Sequence, residues 1–109
     1  MKYLILIVFT ILLFVVPDVK AEDGKDIFES LHCGICHKVD RGKTNPSLQE
    51  ITQAYSGNEN QLVIYLQGET DPIVKPEKGG TMKRYIEKTK SLSESERKAL
   101  ADFILSHSE

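Results

Sequence analysis

The densest chemistry in the chain lies at Cys33-Gly34-Ile35-Cys36-His37. Two thiols separated by two residues and followed at once by an imidazole form a C-x-x-C-H motif, the pattern that attaches a c-type haem. The spacing has a chemical reason. Each thiol can add across one of the two porphyrin vinyl groups as a thioether, and the turn that the pair closes brings the adjacent imidazole beneath the iron. Cys33 and Cys36 are therefore expected as covalent anchors and His37 as the proximal axial ligand. Three other readings use the same residues. A thioredoxin-like redox pair calls for a preceding strand within a βαβ pattern, whereas the residues ahead of this motif have helical spacing. A Cys2His2 zinc site needs a second ligand pair at metal spacing, and His32 and His107 stand singly. A Cys33–Cys36 disulfide, in a structural or binding module without haem, closes too short a loop to add much stability.

Met82 is the second informative residue. It lies in Lys78-Gly79-Gly80-Thr81-Met82-Lys83, read here as a glycine loop rather than an apolar helix face. A methionine can simply fill a gap in a core. Beside a haem, its thioether is a soft ligand whose pairing with histidine raises the reduction potential, so Met82 is the candidate distal ligand. His32 is locked next to Cys33 and cannot reach the opposite haem face, and His107 sits near a terminus expected to fray.

Those residues need elements to hold them. Ile27, Phe28 and Leu31 recur at helical spacing within 23–31, and Leu62, Val63, Tyr65 and Leu66 repeat the pattern within 58–67, where Asn58 or Asn60 is a candidate cap and Gly68 a stop. Ser93-Glu94-Ser95-Glu96 is a capping box that opens a stripe of Ala99, Leu100, Phe103 and Ile104. Gln49 to Tyr55 adds a short helical segment. Residues 40–46 and 70–81, rich in Gly, Pro, Lys and Asp, read as loops long enough to wrap around something. The fold class is all-α, with three to four short helices and loops around one covalently bound haem.

Composition explains why an added group is needed. Of the 44 hydrophobic residues among 109, the first 21 positions hold 16, leaving about 32% in the rest. Domains this small gain little from an unaided core. Met1-Lys2, the apolar run Tyr3 to Val16 and the Pro17-Asp18 break read as a secretory signal peptide over 1–21, ahead of a single domain over 22–109. The run is shorter than an ordinary membrane-spanning helix, so a permanent anchor is the weaker reading and no stable span is expected after cleavage. Without the leader the formal charge is −3, which gives no footing for nucleic acid. Export to the periplasm or an equivalent space suits a C-x-x-C-H motif whose thiols are consumed by haem rather than oxidised.

The chain resembles the class I, monohaem cytochrome c family of the small bacterial type, over essentially all of residues 22–109. Cys33, Cys36, His37 and Met82 stand at the family's attachment and axial positions. Gly24 and Phe28 match its first helix where it crosses the last, and Leu100 and Phe103 match that last helix. The resemblance implies that the Pro46 carbonyl accepts the proximal imidazole's N–H, a bond that fixes ring orientation and ligand basicity. Two positions depart from the family pattern: Asn45 stands where glycine is frequent and Lys83 where proline is frequent. With both axial positions filled, the implied function is a soluble monomeric electron carrier rather than an enzyme. The alternative is a haem-based gas sensor or haem enzyme subunit with a labile Met82. Lys75, Lys78, Lys83, Arg84, Lys88 and Lys90 cluster about the distal segment in an otherwise acidic chain. They read either as a docking rim for an acidic redox partner or as a solvated face.

Overall fold

The computed structural model describes residues 21–40 and 45–108, so the expected leader, apart from Ala21, and part of the loop before Pro46 lie outside the described residues. Within them the chain forms five α-helices and no strand: α1 (Ala21–Ser30), α2 (Leu48–Ala54), α3 (Glu59–Leu66), α4 (Gly79–Lys90) and α5 (Glu94–Ile104), with 3-10 turns at Cys33–Ile35 and Pro76–Lys78. The all-α expectation holds with one helix more than expected. The addition is α4, which replaces the glycine loop assigned to Met82. Its inward residues Met82, Tyr85, Ile86 and Thr89 fall at i, i+3, i+4 and i+7, the spacing of a single helix face.

The first and last helices make the most extensive helix pair. Gly24 makes this possible, because a Cβ there would overlap the Ala99 carbonyl and press on Phe103. Beside that contact the Phe28 and Phe103 rings pack at 5.1 Å between centroids, tilted by 59°. Next along α5, Leu100 is 1% exposed, which places it at the centre of the core.

Capping fixes where two helices begin. At α5 the Ser93 hydroxyl accepts from the Glu96 N–H at 3.1 Å and the Glu96 carboxylate accepts from the Ser93 N–H at 2.9 Å, as the capping box predicts. The same reciprocal pair, Ser47 and Glu50, opens α2. Asn58 precedes α3 without a capping side-chain bond, and Gly68 follows that helix with φ +78°. The ends are then joined by side chains. Thr52 shares its hydroxyl proton between the carbonyls of Leu48 and Ile104, linking α2 to the end of α5.

His107 departs from the frayed terminus expected of it. Its Nδ1–H donates to the Ile104 carbonyl at 3.0 Å, and its ring meets Phe103 edge-on at 5.0 Å.

Candidate functional site

The core side chains form a shell. Phe28 of α1 and Leu31 just after it, Leu48 and Ile51 of α2, Leu62 and Leu66 of α3, and Leu100 and Ile104 of α5 all border one apolar cavity that opens to solvent on one side. Protein interiors tolerate few voids larger than a water molecule. An apolar space walled by side chains from this many helices is the imprint of a large apolar group.

The expected ligating residues converge on this cavity. Cys33, Cys36, His37, Pro46 and Met82 all line it. The C-x-x-C-H segment is a tight turn in which the Cys33 carbonyl accepts from the N–H groups of Cys36 at 3.3 Å and His37 at 3.0 Å. His32 enters that turn in the left-handed conformation at φ 59°. The two cysteines are not joined to each other, Cys33 being half-buried and Cys36 exposed. Burial pushes the Cys33 thiol up, an effect that its backbone hydrogen bond and Lys88 only partly oppose. A thiol held neutral is a poor metal ligand, since metals bind the thiolate. Among the described residues no group of three or more His, Cys, Asp or Glu side chains could hold a metal ion, so the zinc reading has no geometry behind it.

His37 Nδ1 lies 2.8 Å from the Pro46 carbonyl oxygen. A carbonyl only accepts, so Nδ1 carries a proton and, in the neutral ring, the lone pair falls on Nε2, the form in which imidazole ligates a metal. Asn45, in place of the family's glycine, leaves this contact intact. Met82 lies in the first turn of α4, half-buried and packed against the core.

Sequence reasoning missed several residues of the site. Tyr55 is buried, lines the cavity and accepts the Ile73 N–H on its hydroxyl at 3.1 Å. Burial raises its pKa, against the opposing effect of that bond. Tyr65 also lines the cavity. Its hydroxyl is buried without a partner, and its pKa is pushed up to about 12, first by burial and then by Tyr55 and Asp71. An unpartnered buried hydroxyl is costly, and a haem carries the acceptors that would satisfy it, so the residues present fit that group. Thr89 completes the wall, donating to the Leu66 carbonyl at 2.6 Å. Tyr65 was visible only as a member of a helical face, and Thr89 belongs to a helix that the spacing did not show. Nothing in the sequence marks their hydroxyls.

Of the six basic residues about α4, Lys75 lines the cavity and takes a left-handed backbone at φ 46°. Lys83, Arg84, Lys88 and Lys90 are exposed, Lys88 lying over the Tyr85 ring at 5.6 Å. The side chain of Lys78 lies outside the described residues. No described helix is long and apolar enough to cross a membrane.

Comparison with known proteins agrees with this geometry. Residues 21–108 match the sequence model of the family described as cytochrome c. The chain is similar to cytochrome c-551 of Azotobacter vinelandii, at 27% identity over 89 residues covering 79% of this chain and 99% of that one. It is also similar to cytochrome c-551 of Stutzerimonas stutzeri, at 30% identity over 93 residues covering 79% and 78%. A cavity bordered by two thiols and an imidazole, and a family match that spans the whole described domain, have one explanation: the chain belongs to the cytochrome c family, as a small class I member that carries one covalently bound haem c and transfers electrons.

Proposed function

We propose that the protein is an exported, monomeric carrier that shuttles single electrons between extracytoplasmic redox partners, with Cys33 and Cys36 as the thioether anchors, His37 as the proximal ligand and Met82 as the distal ligand. In this reading residues 1–21 are removed and 22–109 form the working domain. The observation that carries it is the His37–Pro46 hydrogen bond at 2.8 Å at the edge of a cavity that Met82 also lines. One-electron chemistry is the haem's own. What this chain does is hold it. Pro46 fixes the tautomer and tilt of the His37 ring, so that Nε2 keeps one direction in both oxidation states. Met82 supplies a soft sulfur that favours the reduced metal and raises the potential. The leucine and isoleucine walls exclude water, so little solvent must reorganise when charge changes.

Access is asymmetric. Cys36 is exposed, and the flanking Ile35 and Val39 are 69% and 50% exposed, an apolar surface beside the attachment turn. Lys83, Arg84, Lys88 and Lys90 give the neighbouring helix a positive face, to which an acidic redox protein would be steered. The test is spectroscopic. The mature protein from a cell competent in cytochrome maturation is expected to give the pyridine haemochrome of two thioether links and the weak near-infrared band of methionine-to-ferric-iron ligation. Met82→Ala is expected to lose that band and to lower the potential. Rapid binding of carbon monoxide or cyanide by the unmodified protein would instead assign the gas-sensing or enzymatic reading with a labile Met82.

A further inference from the structure

The hydrogen bonds at the far end of α4 bear on Met82. A helix leaves its last carbonyls unpaired, and in α4 the carbonyls of Glu87 and Lys88 are met locally by the Ser91 side chain and backbone N–H. Those of Thr89, which also accepts the Leu92 N–H at 3.2 Å, of Lys90 and of Leu92, two residues past the helix, are met from another helix. Arg97, in the first turns of α5, aims Nη1 at all three, at 3.4, 3.0 and 2.5 Å. Its Nε is buried and has no partner, so the guanidinium is positioned by the Nη1 contacts rather than by full satisfaction of its own donors. A cation there also complements the negative end of the helix. The same turn is tied on its other side, because the Thr89 hydroxyl donates to the Leu66 carbonyl at the end of α3.

These contacts matter because α4 otherwise packs on α3 and has little direct backbone contact with α5. Met82 and Thr89 are seven residues apart, about two turns or ~10 Å along one face. A helix of this length moves as a unit. Rotation or sliding of its last turn is therefore transmitted to Met82, which lines the same cavity wall as Thr89.

We propose that Arg97 is a positioning residue for the distal ligand: by tying the C-terminal turn of α4 to α5 it sets the phase and height at which α4 presents Met82, and so determines how readily Met82 leaves the iron. The inference rests on the reading of Met82 as ligand. It predicts that loss of Arg97 acts on ligand exchange rather than on haem attachment. In purified holoprotein, Arg97→Gln is expected to speed displacement of Met82 by added imidazole about tenfold, equivalent to about 1.4 kcal/mol. The pH at which the near-infrared band disappears should fall with it, at unchanged haem content. Thr52→Val is the control, since it loosens α5 through the Ile104 carbonyl without touching α4. Should Arg97→Gln fail to mature, Arg97→Lys, which keeps the charge but not the planar fork, takes its place against the same threshold. Acceleration below threefold, or equal acceleration in Thr52→Val, overturns the proposal. Absence of the band from the unmodified protein overturns the Met82 reading and this inference together, whereas a band insensitive to Arg97 overturns this inference alone.

Discussion

Tyr65→Phe asks whether the cavity is filled by a group that the Tyr65 hydroxyl recognises, and the sign of its effect decides the matter. The hydroxyl is buried, lines the cavity and has no protein partner. If it stayed unpartnered in the mature protein, removing it would relieve a desolvation penalty of about 1–3 kcal/mol. If the bound haem supplies the acceptor, removing it forfeits a net hydrogen bond of about 0.5–1.5 kcal/mol. For a domain of this size 1 kcal/mol moves Tm by roughly 5 °C. The expectation is therefore a holoprotein whose Tm falls by about 3–8 °C, read by thermal unfolding at neutral pH. With its pKa raised to about 12, chiefly by burial, Tyr65 stays neutral throughout the assay. Tyr55→Phe is the internal standard. Its hydroxyl accepts the Ile73 N–H at 3.1 Å, so its removal destabilises whether or not the cavity is filled. A Tyr65→Phe holoprotein more stable than the parent would refute the reasoning.

Other substitutions test the frame. Gly24→Ala pushes a methyl group into the Ala99 backbone carbonyl, which cannot rotate away, so the α1–α5 crossing should lose about 3 kcal/mol and Tm should drop by more than 10 °C; an unchanged Tm would mean the two helices part freely. The hydrogen bonds from Ser93 hold the Glu96 carboxyl below the usual carboxylate range, so the stability it contributes is present above the unfolded value, about pH 4.3, and is lost as pH falls through the lower folded value. Glu96→Gln keeps the reciprocal cap but should flatten that acid limb, and a parallel pair of Tm-against-pH curves would remove Glu96 from the account. Charge reversal at Lys83 and Arg84 should slow electron transfer to an acidic partner at low salt and leave the high-salt rate alone, as measured by stopped flow across ionic strength.

What the sequence discloses and what it hides follow from the range of the interactions involved. The C-x-x-C-H motif is legible because its spacing is local, and the Ser93–Glu96 box because capping acts within one turn. The Ser47–Glu50 box was equally local, and it confirms α2 where apolar spacing alone left only a short segment. The helix carrying Met82 was hidden by its first residues, since Gly79 and Gly80 have the poorest helix propensity of any residue but proline. Its apolar face is sparse for the same reason that it matters. Met82, Tyr85 and Thr89 line the cavity, so they are not the uniform run of leucines that periodicity rewards. Tyr65 and Arg97 could not be assigned from sequence at all. The role of each depends on where a carbonyl, or an acceptor outside the chain, comes to lie after folding.

The thin hydrophobic supply and the large cavity are two views of one fact. Leu48, Leu62, Leu66, Leu100 and Ile104 are each at most 8% exposed and yet border the same cavity, so each is sealed from bulk water on one side while facing a void on the other. Atoms that face a void forgo the dispersion contacts of a close-packed interior. The polypeptide alone is consequently a shell whose inner side chains lack contacts on the cavity side, and the covalently held porphyrin completes the core as well as carrying the electron. Far-UV circular dichroism of protein made without haem attachment is expected to show much less helix than the five helices of the described residues. Full helix content without haem would mean that the shell stands on helix caps and the α1–α5 crossing alone.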